Sequence, residues 1–132
     1  MLQVHIVTPA KNMLSTACND VVLPGFDGEM GILSEHAHLV NKLGAGIVKI
    51  HKDNETVAIA ISGGVVEVGG NQVTVLADDA VFAKDVNTAK LEAEQKKLSA
   101  ELVSLGEESN DREKLFAKQS WLTAQKDLIA FA

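Results

Sequence analysis

Nine of the ten glycines and both prolines, Pro9 and Pro24, lie before residue 85. That division constrains the fold more than any other feature, because glycine and proline punctuate turns and are excluded from helix interiors. Val, Ile and Thr follow the same divide, with 23 in the first 84 residues and 5 in the remaining 48. Their branched Cβ favours extended backbone. The chain therefore reads as a β segment, residues 1–84, followed by a helical segment, residues 85–132.

Within the first segment, Thr56-Val57-Ala58-Ile59-Ala60-Ile61 puts Val57, Ile59 and Ile61 on one face and only alanines on the other. A strand apolar on both faces is expected to be covered on both. Strand-like runs recur at Gln3–Val7, Val21–Leu23, Ile47–His51, Thr56–Ile61, Val65–Val68 and Gln72–Leu76. Turn signals at Asp53-Asn54, Gly63-Gly64 and Gly69-Gly70-Asn71 separate several of them. The spacing predicts an antiparallel sandwich or flattened barrel.

After Asp85 the period becomes helical. Asn87 is placed to cap a first helix that Gly106 stops, and Asn110 with Glu113 opens a second. At about 100° per residue, Leu91, Leu98, Leu102 and Leu105 form one seam on the first helix. The second helix carries two stripes: Leu115, Leu122 and Ile129, and about 120° away Ala117, Trp121, Ala124, Leu128 and Phe131. One stripe suits the first helix and the other the sandwich.

Twelve Lys+Arg against eighteen Asp+Glu give a net charge of -6, the wrong sign for holding nucleic acid or anionic lipid. No apolar run approaches the roughly 18 residues of a membrane-spanning helix, and the first residues do not read as a secretory signal. A cytosolic setting is expected. The lone cysteine, Cys18, cannot form an intrachain disulfide and reads as a small buried hydrophobe.

Glu35-His36-Ala37-His38 is the most ligand-like cluster, since two histidines on one strand face would both reach a metal. No third ligand is evident, and surface histidines are the plainer reading. Gly25–Gly31 is glycine-rich, yet lacks the Lys-Ser/Thr of a phosphate loop and reads as a pair of tight turns bending a strand. No nucleophile, base and oxyanion hole assemble. The residues describe an interaction protein without metal or cofactor.

Gly28-Glu29-Met30-Gly31-Ile32-Leu33 with His36-Ala37, then Ser62-Gly63-Gly64-Val65-Val66-Glu67-Val68, then Val73-Thr74-Val75-Leu76-Ala77-Asp78 resemble, in order and separation, three motifs of the epsilon subunits of F-type ATP synthases. The resemblance spans the β segment and is one of architecture beyond Asp85. It implies a ten-stranded flattened antiparallel β-sandwich followed by an antiparallel two-helix hairpin. It further implies a non-catalytic rotor subunit of the central stalk, coupling c-ring rotation to ATP synthesis. The sandwich would bind the gamma subunit and the c-ring, with Glu29 and His36 facing the ring and Thr8 and Val40 nearby. Association with the cytoplasmic face of a bacterial plasma membrane would come only through the complex. Where the family has His-Ala-Pro, this chain has His36-Ala37-His38, which leaves that loop less constrained.

The resemblance also implies a hairpin that leaves the sandwich and extends to the alpha and beta subunits, opposing ATP hydrolysis. Arg112, Lys114, Lys118 and Lys126 would meet an acidic segment there, while Trp121 and Leu128 would hold the docked form. A solvated basic face accounts for the same charges equally well. Some relatives bind ATP through Ile/Leu-Asp-x-x-Arg-Ala. The stretch here is Val86-Asn87-Thr88-Ala89-Lys90-Leu91. Asparagine replaces the carboxylate and lysine the two-pronged guanidinium, so weak or absent ATP binding is expected. Two alternatives stand beside this reading: a metal-dependent β-barrel enzyme using His36 and His38, and a β-sandwich adaptor with an unrelated partner.

Overall fold

Alternation in the first segment builds ten strands: β1 (Leu2–Val7), β2 (Asn12–Cys18), β3 (Asp20–Gly25), β4 (Gly28–Leu33), β5 (His36–Leu43), β6 (Gly46–Lys52), β7 (Glu55–Ile61), β8 (Gly64–Gly70), β9 (Gln72–Ala77) and β10 (Ala80–Phe82). A 3₁₀ turn at Ala83–Asp85 leads to α1 (Thr88–Ser104) and α2 (Arg112–Phe131). The structure, a computed structural model, describes residues 2–33, 36–104 and 112–131. Four strands escape the alternation reading. β2 is half polar, β4 contains two glycines, β5 has a bulge between His36 and Leu39, and β10 has three residues. The stretch read as two tight turns is instead one short turn at Phe26-Asp27 joining β3 to β4.

The strands form one sheet in the order β10-β7-β6-β3-β5-β8-β9-β1-β2, with β4 on β3. It folds over where β3 meets β5 through the single pair Gly25 and Leu43, giving a sandwich. Neighbours are antiparallel except β1 and β9, which run parallel. A long connection permits this, whereas a short hairpin forces antiparallel pairing. At the β7–β8 turn, Gly64 has φ of 149° and a Cβ there would lie 2.1 Å from the Leu76 carbonyl oxygen. Only glycine fits.

Between the layers lies an apolar core that includes Leu2, Val4, Ile6, Val21, Leu23, Val48, Ile50, Ile59, Ile61, Val66, Val73 and Val75. Cys18 is buried in it, as expected, and burial pushes its thiol pKa up, with Asp20 adding to the effect. All these residues are on strands, so the sandwich carries its own core. Ile59 and Ile61 of β7 enter it. Ala60, on the opposite face of β7, is buried against Ala124 and Leu128 of α2, with Ala58, Ile47, Val81 and Trp121 around them. The two-faced strand is thus covered on both sides.

Asn87 caps α1: the Lys90 amide donates to its Oδ1 at 3.1 Å. Leu91 and Leu98 bury against Leu122, flanked by Leu115 and Ile129, so the first stripe of α2 packs on α1 and the second on β6 and β7. Leu105, Gly106 and Asn110, and the side chains of Leu102 and Glu113, lie outside the described residues. Phe131 ends the second stripe half-exposed, with the Lys49 ammonium 5.2 Å from its ring centroid.

Two outcomes follow. Replacing the buried Leu128 and the half-buried Trp121 with serine removes apolar contact from the docking of α2, about 2–5 kcal/mol at Leu128. Amide exchange of α1 and α2 should then accelerate while β6–β9 stay protected; unchanged helix protection would refute the stripe assignment. Cys18, buried and held protonated, should resist iodoacetamide in the native chain at pH 7.5 and react fully in guanidinium.

Candidate functional site

The strand registers sort the turns onto two ends. One end gathers Thr8–Lys11, Phe26-Asp27, Gly44-Ala45, Ser62-Gly63 and Asp78-Asp79; the other gathers Asn19, Asp53-Asn54, Asn71 and the start of β5 at His36. We call these the glycine end and the histidine end. Thr8 closes the first turn of the glycine end: its amide donates to the Lys11 carbonyl at 2.9 Å, and its Oγ1 lies 3.2 Å from both the amide and the carbonyl of Lys11. Glu29 is exposed at the same end, opposite Pro24 near the start of β4.

His36 does not join them. It pairs with Gly70 at the histidine end, and the strand from Glu29 to Leu33 alone spans roughly 13 Å at about 3.3 Å per residue. Its side chain lies outside the described residues. The bulge after His36 breaks the even alternation on which two histidines facing one metal depended. His38 packs its imidazole against Gly69, where a Cβ would come within 2.8 Å of the ring. Val40 is 70% exposed on the outer face of β5.

Val40 has company that the motifs did not point to. Cross-strand pairing sets Lys42, Val65, Leu76 and Val7 in one row on that outer face, with Val40, Glu67, Thr74 and His5 in the next. Val65 and Leu76 are exposed there, and Phe26 projects from the glycine end at 62% exposure under the Lys42 ammonium, 4.5 Å from its ring centroid. A sequence signal existed: Val65 has the parity of Glu67, and Leu76 that of Thr74. An apolar residue on a strand's polar face is a candidate contact.

On α2, Lys114, Lys118 and Lys126 are exposed, Trp121 is half-buried and Leu128 buried. The Arg112 side chain lies outside the described residues. The segment aligned with the ATP motif lines a groove of about 310 Å³ with Asp85, Val86, Asn87, Lys90, Glu94, Trp121 and Gln125. Asn87 is engaged as the α1 cap. Two carboxylates face one ammonium, a poor field for a polyphosphate.

A family model described as "ATP synthase, Delta/Epsilon chain, beta-sandwich domain" matches residues 1–83. The chain belongs to this family. The match ends one residue past β10, where the sandwich ends. An ATP synthase epsilon chain of Thermosynechococcus vestitus is 32% identical over 130 residues, covering 98% of this chain and 94% of its own. That of Desulforamulus reducens is 38% identical over 106 residues, 80% of each. Among solved structures, a chain in the OSCP/F1/c-ring assembly of the Euglena gracilis mitochondrial ATP synthase superposes with a TM-score of 0.83. Its sequence is 19% identical, and the match covers 99% of this chain and 81% of that one. A chain in the central stalk/c-ring of the Tetrahymena thermophila enzyme gives 0.69 at 15% identity, covering 97% and 96%. The whole β-sandwich and hairpin architecture is therefore that of the family.

Because the groove at Asn87 offers no guanidinium and two carboxylates, calorimetric titration of the chain with ATP should give no saturable heat at submillimolar concentrations. Submillimolar affinity would overturn this reading of the groove.

Proposed function

We propose that the sandwich fixes this chain to the gamma subunit and the c-ring, and that the helical hairpin restrains ATP hydrolysis. As an epsilon-type chain it is a rotor subunit of an F-type ATP synthase. Its own part is non-catalytic: it transmits torque between ring and shaft. The observation that carries the gamma contact is the exposed apolar row of Val65 and Leu76 on β8 and β9, with Val40 of β5 exposed in the adjacent row and polar residues around all three. Burying such a row gives attachment without directional chemistry.

Glu29 and Thr8 share the glycine end and serve the c-ring contact, where an exposed carboxylate on a rigid strand can accept hydrogen bonds from polar loops. His36, at the other end, requires a different part of the assembly. The hairpin is the regulatory element, with residues 1–84 as the attachment domain and 85–132 as the brake. Its helices of 17 and 20 residues are marginal without tertiary packing, and an alanine-lined seat holds them to the sandwich. A difference of a few kcal/mol between docked and extended forms would let the complex select between them. When extended, Lys114, Lys118 and Lys126, with Arg112, face the alpha and beta subunits. The setting is the cytoplasmic face of a bacterial plasma membrane, reached through the complex. Among the described residues no helix is long and apolar enough to cross a membrane.

Since the sandwich core is built of strand residues alone, residues 1–85 retain it. Add-back of the full chain to a synthase depleted of its epsilon subunit should suppress ATP hydrolysis, and add-back of residues 1–85 should bind without suppressing it. Equal hydrolysis in the two cases, with binding verified, would remove the brake and leave the attachment role.

A further inference from the structure

The second stripe of α2 does not lie on the sheet along its whole length. Ala124 and Leu128 are buried, but Ser120 and Ala117, one and two turns before Ala124, are exposed, and Phe116 is 45% exposed. The N-terminal half of α2 therefore overhangs the glycine end and leaves a cleft of about 670 Å³. One wall is sandwich, with Phe26, Leu43, Gly63 and Val65; the other is α2, with Ala117 and Ser120. Lys42 and Asp78 stand in the lining, and neither forms an ion pair among the described residues. Through Lys42 and Val65 the cleft runs into the apolar row of the outer face.

We propose that this cleft seats a segment of the gamma subunit that is apolar at its centre, with a carboxylate placed for Lys42 and a cation for Asp78, and that this seating clamps the hairpin in its docked position. The proposal rests on the reading that the outer face binds gamma. The charge pattern defines the occupant: Lys42, over the Phe26 ring, and Asp78 have no ion-pair partner among the described residues and flank a largely apolar lining, and a complementary segment satisfies both charges while covering Phe26. Continuity with the row means that one partner reaches both. The clamp follows from the walls. The sandwich and the helices have separate cores, so the cleft exists only while α2 is docked, and an occupant touching both walls favours the docked form over the released one. By linkage, docking of the hairpin strengthens the binding of gamma by the same factor.

The test uses the full chain and isolated gamma subunit, without the catalytic hexamer, so that extension into the hexamer cannot intervene. Binding of gamma should slow amide exchange in residues 117–131 by about fivefold or more. Ala117→Arg, which fills the cleft from an exposed position outside either core, and Lys42→Glu should each weaken binding about tenfold. Exchange in the free variants should stay unchanged, and Lys42→Arg should retain binding. If gamma binds but exchange in α2 is unaltered, or if Ala117→Arg binds as tightly as the parent, the clamp is overturned while the outer-face reading stands. If gamma does not bind the parent chain, that reading falls and the clamp with it. Self-association of the chain abolished by Ala117→Arg would assign the cleft to a second copy and overturn the proposal.

Discussion

The architecture turns on β7, whose two faces serve two separate cores. Ile59 and Ile61 close the sandwich from one side, while Ala58 and Ala60 offer the other side as a floor for α2. Small side chains let the helix approach closely, yet each contributes little apolar area, so the attachment is close but modest. Larger residues on that face would lift the helix; polar ones would leave Leu128 and Trp121 without a partner. A strand that is large on one face and small on the other separates the core of the sandwich from the smaller contact that holds α2.

The hierarchy of stability follows from this arrangement. The interlayer core is apolar, closely packed and confined to strands, which makes the sandwich the rigid part of the chain. The helices depend on each other through the leucine seam and on the sandwich through one half of α2. Local opening is expected where buried apolar contact is least, and the overhanging half of α2 at the glycine end is such a place. Polar residues elsewhere in the chain, such as Thr8 and Asn87, close a turn and cap a helix and so hold local backbone geometry.

Motifs and periodicity carried different parts of the reading. Ordered motifs such as Ser62-Gly63-Gly64 pointed to the family, and the structure gives the physical basis of one of them: Gly64 has a backbone conformation and a carbonyl neighbour that no side chain tolerates. Alternation found the strands with two clean faces and passed over β2, β4, β5 and β10, where polar residues, glycines, a bulge or shortness blur the period. Glu29 and His36 are seven residues apart and the motif resemblance puts them on one surface; the β4 strand between them carries them to opposite ends.

By itself the sequence determined the division into β and helical segments, the two stripes of α2, the cap at Asn87 and the burial of Cys18. These are local or periodic properties, written in side-chain shape and spacing. Only the tertiary structure decided which turns share an end, which exposed apolar residues share the outer face of β5, β8 and β9, and where α2 leaves the sheet. Those depend on strand order and register between segments far apart in the chain. No local pattern encodes them, because they are set by how the whole sheet closes over its core.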